Sequence, residues 1–406
     1  MAALDTTSAS SVLKVYYSNQ RVTMMMYKDA PLYALLPKVK DFFGKQYPLP
    51  LCVANPQGRS ATFSNAQAQK TPSVFKDFNL TRAKDYSLAS IDSEAWLAAE
   101  SNAGAFLKTA TREIDGALES LKRSLAWSVY GDGIGTIGTA ASITSANPAV
   151  ITLENVEDIS KFEVGQLIQV RDDTSPGTTR LFATGVSTAT VVGVDRDLGK
   201  ITTDVDNSGN TDTITASDLI MVVGDYNVKL KGLGAWIPAT APGATPFFGV
   251  DRTTDVTRLA GCRITSTGKP LDEAFIDAAR RIGREGASPD YGFVGFSRYA
   301  SLEKTLSSRV IYEDVEIAGV GFRGIKISGP NKPIVVLPDR DCPEAKSYLL
   351  TMSTWGLYSL KEPVMILDLD GNKVLREGSA DAYEVRCASF SQMGCDHPGA
   401  NAVMLF

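Results

Sequence analysis

The stretch from Ala103 to Tyr130 sets the scale of the fold, because it is the longest uninterrupted helical pattern in the sequence. Its apolar residues recur at the spacings of a 3.6-residue period, and so they lie on one stripe. They are Leu107, Ile114, Leu118, Leu121, Leu125 and Val129. At about 1.5 Å per residue, such a helix is roughly 40 Å long. We expect the C-terminal strands and a second amphipathic helix, Leu271–Ile282, to cover this stripe.

The periodicity changes to two between Ala149 and Tyr226, where Val, Ile and Thr predominate. Short alternating segments separated by turns are typical of a small barrel or sandwich. The segments are Val150–Glu154, Gln166–Asp172, Thr188–Asp195, Gly199–Val205, Asp212–Ala216 and Leu219–Val223. A linker-like stretch, Gly131–Pro148, precedes them, and the glycines of Lys231–Gly234 follow. The pattern predicts an all-β domain inserted into a host domain.

The remainder of the chain predicts an α+β host. A helix at Ser297–Leu306, capped by Ser297, follows a strand at Tyr291–Phe296. A short helix is expected to begin near Ile91–Trp96, with Asp92 or Ser93 as its cap. Further strands are expected at Gly324–Ser328, Ile334–Leu337, Ser347–Met352, Val364–Leu369, Ala382–Phe390 and Ala400–Phe406.

Ahead of the long helix, a polar ribbon is predicted. Arg59–Phe63 and Val74–Ser90 read as strands, and Ser64–Pro72 forms a small polar tip between them. A two-stranded ribbon is marginal in water by itself. Since this one has few large apolar residues, we expect it to need a neighbour. The methionines at 24–26 indicate either an adaptable contact surface or ordinary core filling.

The supply of chemically active side chains is small. The sequence has a single histidine, His397, and five cysteines, none in CxxC spacing. This usage predicts reduced thiols in a cytosolic setting, without a disulfide framework or a zinc site. His397 lies two residues from Cys395, but a nucleophilic pair normally comes from separate parts of a fold. We therefore expect a structural or surface histidine.

Three further motifs favour turns over ligand sites. Gly133–Gly138 matches GxGxxG, but a helix precedes it and a loop follows, the reverse of a nucleotide-binding order. Asp204–Gly209 starts like a calcium loop, yet Thr215 stands where a bidentate Glu is required. Asp368–Asn372 also starts like a calcium loop and is explained by a turn between strands. Asn79–Thr81 is a glycosylation sequon, but the sequence shows no secretory signal that would lead to its use. We predict no catalytic, cofactor-binding or metal-binding residues.

Charge is distributed unevenly along the chain, whose net charge is −5. Residues 138–232 hold 7 Lys and Arg against 13 Asp and Glu, a net of −6, and the remainder carries +1. No basic run indicates sequence-specific nucleic-acid binding, and no apolar run is long enough for a membrane span.

Several stretches carry a family resemblance. Phe162–Val170 followed by Thr188–Asp195 resembles the inserted β domain of one capsid subfamily. Lys231–Pro238 is similar to the segment that returns to the body, and Tyr383–Cys387 leading to His397–Ala400 is similar to the closing strands. Together with the order of the parts, these stretches resemble the major capsid protein of tailed bacteriophages, the Hong Kong-type capsid fold.

The resemblance implies a division of the chain into seven parts. They are an N-terminal arm (1–48), an extended β-loop (49–91), a peripheral domain with the spine helix (92–136), an all-β insertion domain (137–232), a second peripheral part (233–290), an axial domain (291–380) and closing peripheral strands (381–406). The arm and loop would then find their apolar partners on other copies.

The resemblance also implies a function. It is that of a non-enzymatic major capsid protein that assembles as hexamers and pentamers into an icosahedral head around double-stranded DNA. The implied partners are other copies of the chain, portal and scaffolding proteins and non-specifically bound DNA, without a membrane; decoration proteins stay open. The location is the virion, after assembly in the bacterial cytoplasm. The acidic insert is expected on an outer or lateral surface, away from DNA phosphates.

Two departures from the family qualify this picture. The chain has a short arm and no long helical leader, which implies a separate scaffolding protein or none. Some members crosslink a loop lysine to an asparagine of a neighbour, but nothing marks Lys70 or Lys76 as activated. Two other functions compete: a hydrolase or transferase with a β-barrel accessory domain, and a β-rich adhesin. The cysteines and the missing secretory signal weigh against the adhesin.

Overall fold

The structure is a computed structural model, which describes residues 30–93, 103–144, 146–174, 177–207, 214–306, 311–317, 320–329, 331–368, 371–378 and 380–406. For residues 103–110, 316–317 and 320 it describes the backbone alone. The methionines at 24–26 and most of the helix predicted from Ile91 lie outside these residues.

The described α-helices are α1 (Pro31–Leu35), α2 (Phe63–Ala68), α3 (Ala103–Ser128), α4 (Leu233–Trp236), α5 (Val256–Ala260), α6 (Leu271–Arg284) and α7 (Phe296–Leu306). The first ten strands are β1 (Lys38–Val39), β2 (Gln46–Ala54), β3 (Val74–Thr81), β4 (Ala83–Asp92), β5 (Thr136–Ile143), β6 (Val150–Leu153), β7 (Leu167–Arg171), β8 (Thr188–Asp195), β9 (Lys200–Thr203) and β10 (Leu219–Val222). The others are β11 (Cys262–Thr265), β12 (Tyr291–Val294), β13 (Tyr312–Ile317), β14 (Val320–Ile327), β15 (Ile334–Pro338), β16 (Lys346–Leu350), β17 (Trp355–Ser359), β18 (Met365–Ile366), β19 (Leu375–Arg376), β20 (Ala382–Cys395) and β21 (Ala402–Leu405).

The chain divides into two compact units. The first contains residues 1–130 and 230–406, and the second contains residues 131–229. In the second unit, β5 to β10 form a closed barrel in the order β10-β5-β6-β9-β8-β7, closed by antiparallel pairing of β7 with β10. Alternate barrel residues, such as Ile168, Val170 and Ile220, are fully buried. The alternation in the sequence therefore encodes the barrel interior.

In the first unit, the long helix α3 packs against one face of a sheet built around β20. β4 pairs with one edge of β20 over ten residues, and β17, β18 and β19 pair with the other edge. The predicted stripe is confirmed from Ile114 to Val129, because its described members are all buried. The side chain of Leu107 lies outside the described residues.

The expected partner of the stripe is wrong in part. The C-terminal strand β20 contacts α3, as predicted, but β4, which precedes α3 in the chain and was not predicted to do so, covers more of it. Helix α6 instead packs on β11, β16 and β21, and its buried residues belong to a second core. The seven-stranded sheet β11-β21-β16-β12-β15-β14-β13 separates the two cores. Val403 faces the first core and its neighbours Ala402 and Met404 face the second, as strand alternation requires.

The polar ribbon differs from its prediction. Arg59–Phe63 is not a strand, and α2 begins at Phe63 and extends into the predicted tip. The hairpin consists of β2 and β3, which pair from Gln46–Thr81 to Ala54–Val74. The second half of the predicted strand Val74–Ser90 is β4, which belongs to the sheet of β20.

Two smaller predictions are also wrong. The linker-like stretch Gly131–Pro148 contains β5, where Gly138 leaves room for Phe162: a Cβ atom on Gly138 would lie 3.1 Å from that ring. Helix α7 begins at Phe296, so Ser297 is inside the helix; its N–H donates instead to Glu344 Oε1 at 3.3 Å.

The segment that follows the barrel is fixed to the end of α3. The N–H of Leu233 donates to Val129 O at 2.7 Å, and the N–H of Gly234 donates to Tyr130 O at 3.2 Å. Gly232 permits this approach, because a Cβ atom there would lie 2.0 Å from Val129 O.

Candidate assembly surfaces

The base of the β2–β3 hairpin is held firmly by the body. Phe78 is fully buried, with its ring centroid 5.0 Å from that of Trp236, which lies 5.1 Å from Phe247. The N–H of Asn79 donates to Phe248 O at 2.9 Å. These contacts fix where the hairpin leaves the body.

The tip of the hairpin, residues 55–75, has the opposite character. No side chain of α2 is buried, and Phe63 is 82% exposed. At the start of β3, Phe75 is 63% exposed. The tip contains Arg59 and Lys70 but no Asp or Glu. It therefore presents large apolar side chains among positive charges, a composition that favours a partner.

A second exposed surface lies on the sheet of β20, on the side opposite α3. Tyr86 and Leu88 of β4 are more than half exposed, and Tyr86 makes an edge-to-face contact with Phe390 at 5.7 Å. We call this surface the sheet face. Its charges balance, since Lys84 and Asp92 are both exposed on β4 and Arg386 forms an ion pair with Glu384.

The barrel unit has an apolar surface of its own, formed by Val164, Leu167 and Val192, which we call the barrel patch. All three are exposed, Val164 by 65%. Leu167 pairs with Thr190, and the N–H of Gly165 donates to Val191 O at 2.8 Å, which brings the three residues together.

Charged side chains flank the barrel patch, two of them acidic and one basic. Glu163 precedes it and pairs with Arg196 at 3.3 Å, and Asp204 Oδ1 accepts the N–H of Thr190 at 2.7 Å. Residues 131–229 contain 14 Asp and Glu against 6 Lys and Arg. The patch is thus an apolar centre in a strongly negative unit.

One group of carboxylates in the barrel resembles a cation site. Ligand atoms of Asp172, Asp173 and Asp218 lie within 4.8 Å of one another. Arg180 already supplies a cation there: its Nη2 lies 3.1 Å from Asp172 and its Nε 3.1 Å from Asp218. The arrangement is accounted for by an ion-pair network and needs no metal.

A buried carboxylate connects three segments of the first unit. Asp339 Oδ2 accepts Tyr130 Oη at 2.7 Å and the N–H of Leu32 at 3.3 Å, and Oδ1 accepts the N–H of Asp341 at 3.0 Å. Burial, and then the neighbouring Asp341 carboxylate, raise the pKa of Asp339 to about 7. Because it joins α1, the end of α3 and the end of β15, this group has a structural role.

Cys395 and His397, the residues considered for a nucleophilic pair, differ in their surroundings. Burial raises the pKa of the Cys395 thiol well above its usual value, whereas reactive cysteines have lowered pKa values. His397 is exposed, and its carbonyl accepts Asn401 Nδ2 at 3.0 Å. This geometry gives no support to a Cys–His nucleophile.

The described residues of the remaining motifs lie in strands or in the turns next to them. Gly135 has a φ of +96°, and Gly138 lies in β5, so the glycine motif leads into a strand. The Asp204 carboxylate is engaged with Thr190, while residues 208–213 of the predicted calcium-like loop lie outside the described range. Asn79 is half-buried in β3. Residues 369–370, in the turn after Asp368, also lie outside the described residues.

The exposed residues of these surfaces were not predicted from the sequence. Phe63 was expected at the end of a strand, and the segment Val74–Ser90 was expected to be one strand. A signal was present for the barrel: Leu167 and Val192 occupy the outward positions of alternating strands. None of the described helices is long and apolar enough to cross a membrane.

No protein-family model matches the sequence, and no curated protein matches it. Solved structures do match, and among them are capsid chains of a cyanophage and of a GTA particle. The cyanophage match confirms the fold predicted from the sequence, which is the mixed α+β fold of phage capsid proteins.

The particular match that carries this conclusion is a chain of the cyanophage A-1(L) capsid asymmetric unit. It is 12% identical, with a TM-score of 0.51, and the match covers 93% of this chain and 92% of that chain. A capsid chain of a native GTA particle is 9% identical, with a TM-score of 0.44 and coverage of 91% and 88%. A chain of Mycobacterium phage Ogopogo is 13% identical, with a TM-score of 0.41 and coverage of 93% and 92%.

Proposed function

We propose that this chain is a capsid shell protein, many copies of which assemble into a closed head around the double-stranded DNA of a tailed phage. The observation that carries the proposal is the phage capsid fold over 93% of the chain. The finer features follow from it: hexamers and pentamers as the units of assembly, a non-enzymatic role, and a location in the virion after assembly in the bacterial cytoplasm. Portal and scaffolding proteins are its further partners.

The hairpin supports this proposal independently of the fold. Its base is fixed by buried aromatic rings, so its direction is set before assembly. Its tip exposes Phe63 and Phe75, which have no cover among the described residues. A projecting element with a rigid base and an apolar tip is suited to a neighbouring copy. Repeated contacts of this heterologous kind close into rings and shells.

The residue ranges proposed for the capsid domains can be compared with the units and strands of the structure. The barrel unit, residues 131–229, corresponds closely to the proposed insertion domain at 137–232. The hairpin corresponds to the extended loop, although β4 joins the body within the range 49–91. The axial domain at 291–380 and the closing strands at 381–406 are assigned by their order in the chain.

Assembly of the purified protein tests the proposed function. Negative-stain microscopy and sedimentation should show capsomer rings or closed particles. A monodisperse small species under every assembly condition, with scaffolding protein supplied, would contradict the proposal. Particles purified from phage should contain DNA that resists nuclease, whereas particles holding only protein cargo would contradict DNA enclosure.

Removal of the tip helix tests the role of the hairpin. Deletion of 65–70 should leave a folded subunit, because α2 buries no side chain, but should prevent assembly. Ile276→Ser is a matched control, since this exposed residue lies on α6, far along the chain from the hairpin. Unimpaired assembly after the deletion would show that the hairpin has no intersubunit role.

A further inference from the structure

We propose that the hairpin tip of one copy docks on the barrel patch of a neighbouring copy. This inference rests on the proposed shell function and names the surface that receives the tip. The occupant of the barrel patch is thus residues 55–75 of a second copy, with Phe63 against Leu167 and Val192.

Both surfaces have the exposure that such a contact requires. Phe63 begins α2, where its side chain is 82% exposed. On the barrel, the outward positions of β7 and β8 place Leu167 beside Thr190, with Val192 two residues further along. Covering these apolar side chains removes them from water, which favours association.

Charge complementarity selects this pairing. Arg59 and Lys70 give the tip a positive charge with no acid between residues 55 and 75. The barrel patch lies in a unit with 14 acidic and 6 basic residues. At its margin the ion pair of Glu163 with Arg196 is neutral, and the exposed Asp204 leaves the margin negative. Opposite potentials steer two surfaces together and fix their register.

Charge disfavours the two other apolar surfaces as receivers of the tip. The sheet face has balanced charges, so it offers a basic tip no electrostatic gain. A second barrel patch would bring two negative units together, which costs free energy. The sheet face and a barrel–barrel contact are therefore the competing outcomes of the test.

Photo-crosslinking locates the receiver directly. Phe63 is replaced by p-benzoylphenylalanine in full-length chains, light and ¹⁵N-labelled chains are mixed before assembly, and the crosslinked peptides are sequenced. We expect light–heavy crosslinks from position 63 to residues 163–167 or 190–193. Crosslinks to β4 or β20 would assign the tip to the sheet face and overturn the proposal, as would particles that give no crosslink to the barrel.

A charge reversal supplies an independent measurement. Val192→Lys should raise the protein concentration needed for assembly by about tenfold, because it places a cation opposite Arg59 and Lys70. Lys70→Glu in the same chain should restore assembly. Leu198→Lys is the matched control, because Leu198 is exposed on the same barrel but lies in the β8–β9 turn. Equal effects of the two barrel variants, or no rescue, would contradict the proposal.

Different results would contradict the shell function and the contact between the hairpin tip and the barrel patch. If the unaltered chain forms no particles, the shell function fails and this contact fails with it. If particles form normally while Val192→Lys has no effect, the shell function stands and only the contact is wrong. Circular dichroism of each variant confirms that the barrel remains folded.

Discussion

The stripe of α3 and the tip of the hairpin carry similar apolar side chains in opposite surroundings. Leu118 and Leu121 are buried by β4 and β20 of their own chain, whereas Phe63 and Phe75 are exposed. The difference separates two roles for apolar residues. Those of the stripe stabilise the subunit, and those of the tip are available to hold subunits together.

The largest effect is expected within the stripe. Leu118→Asp should abolish soluble subunit, because an unpaired buried charge costs several kcal/mol, on the order of a domain's whole stability. The yield of soluble protein and its circular dichroism measure this. The control is Glu119→Ala, which removes only an exposed ion pair with Arg123. Normal yield and assembly of Leu118→Asp would show that α3 is not the core of the subunit.

A pair within one strand tests the contrast more finely. Phe78→Ala, at the buried base of the hairpin, should lower the free energy of unfolding by about 3–5 kcal/mol. Phe75→Ala, three residues earlier and exposed, should change it by less than about 0.5 kcal/mol. Denaturant unfolding measures both. We expect Phe75→Ala to impair assembly instead, and equal destabilisation by the two variants would remove the distinction between base and tip.

The buried carboxylate gives the subunit a dependence on pH. The pKa of Asp339 is about 7 in the fold against an ordinary value of 3.8, so its contribution to stability is complete below about pH 4 and is lost as pH rises through 7. The slope of one such group is about 1.4 kcal/mol per pH unit between these values. Asp339→Asn should remove that slope from unfolding measured between pH 4 and 8.

A control for this slope is available on the surface. The pKa of Asp277 is lowered by its hydrogen bond with Lys269, so this group titrates below the range of the measurement. Asp277→Asn should therefore leave the slope between pH 4 and 8 unchanged. A wild-type slope that persists in Asp339→Asn would assign it to another group.

The smallest expected effect lies at Gly116, an interior residue of α3. An added Cβ atom would meet nothing within 4 Å, so Gly116→Ala should raise stability by about 0.5–1 kcal/mol through helix propensity. The thermal unfolding midpoint measures this. A lower midpoint would contradict the open surroundings of Gly116.

Periodicity predicted the parts of the fold whose sequence and burial agree. The stripe of α3 and five of the six barrel strands were visible because one face of each element is apolar and buried. The overall class also followed from the order of these elements. His397 is exposed and burial raises the pKa of the Cys395 thiol, while the absence of a catalytic pair stays a prediction.

The missed elements are those in which local preference and tertiary contacts disagree. β2 contains Pro48 and Pro50, which argue against a strand, yet β2 pairs with β3 alone and an edge strand tolerates proline. β5 contains Gly138, whose missing side chain is replaced by the ring of Phe162. The candidate surfaces were less predictable still, because exposure depends on which faces the folded chain leaves open.

The contact between Gly232 and the Val129 carbonyl limits which mutations the gene can accept at this position. Every single-base missense change of a glycine codon introduces a residue with a Cβ atom, and here that atom would lie 2.0 Å from Val129 O. We therefore expect no missense substitution of Gly232 to be tolerated, whereas Gly116 should tolerate replacement by a residue with a Cβ atom. In a saturation library selected for viable particles, position 232 should retain glycine alone.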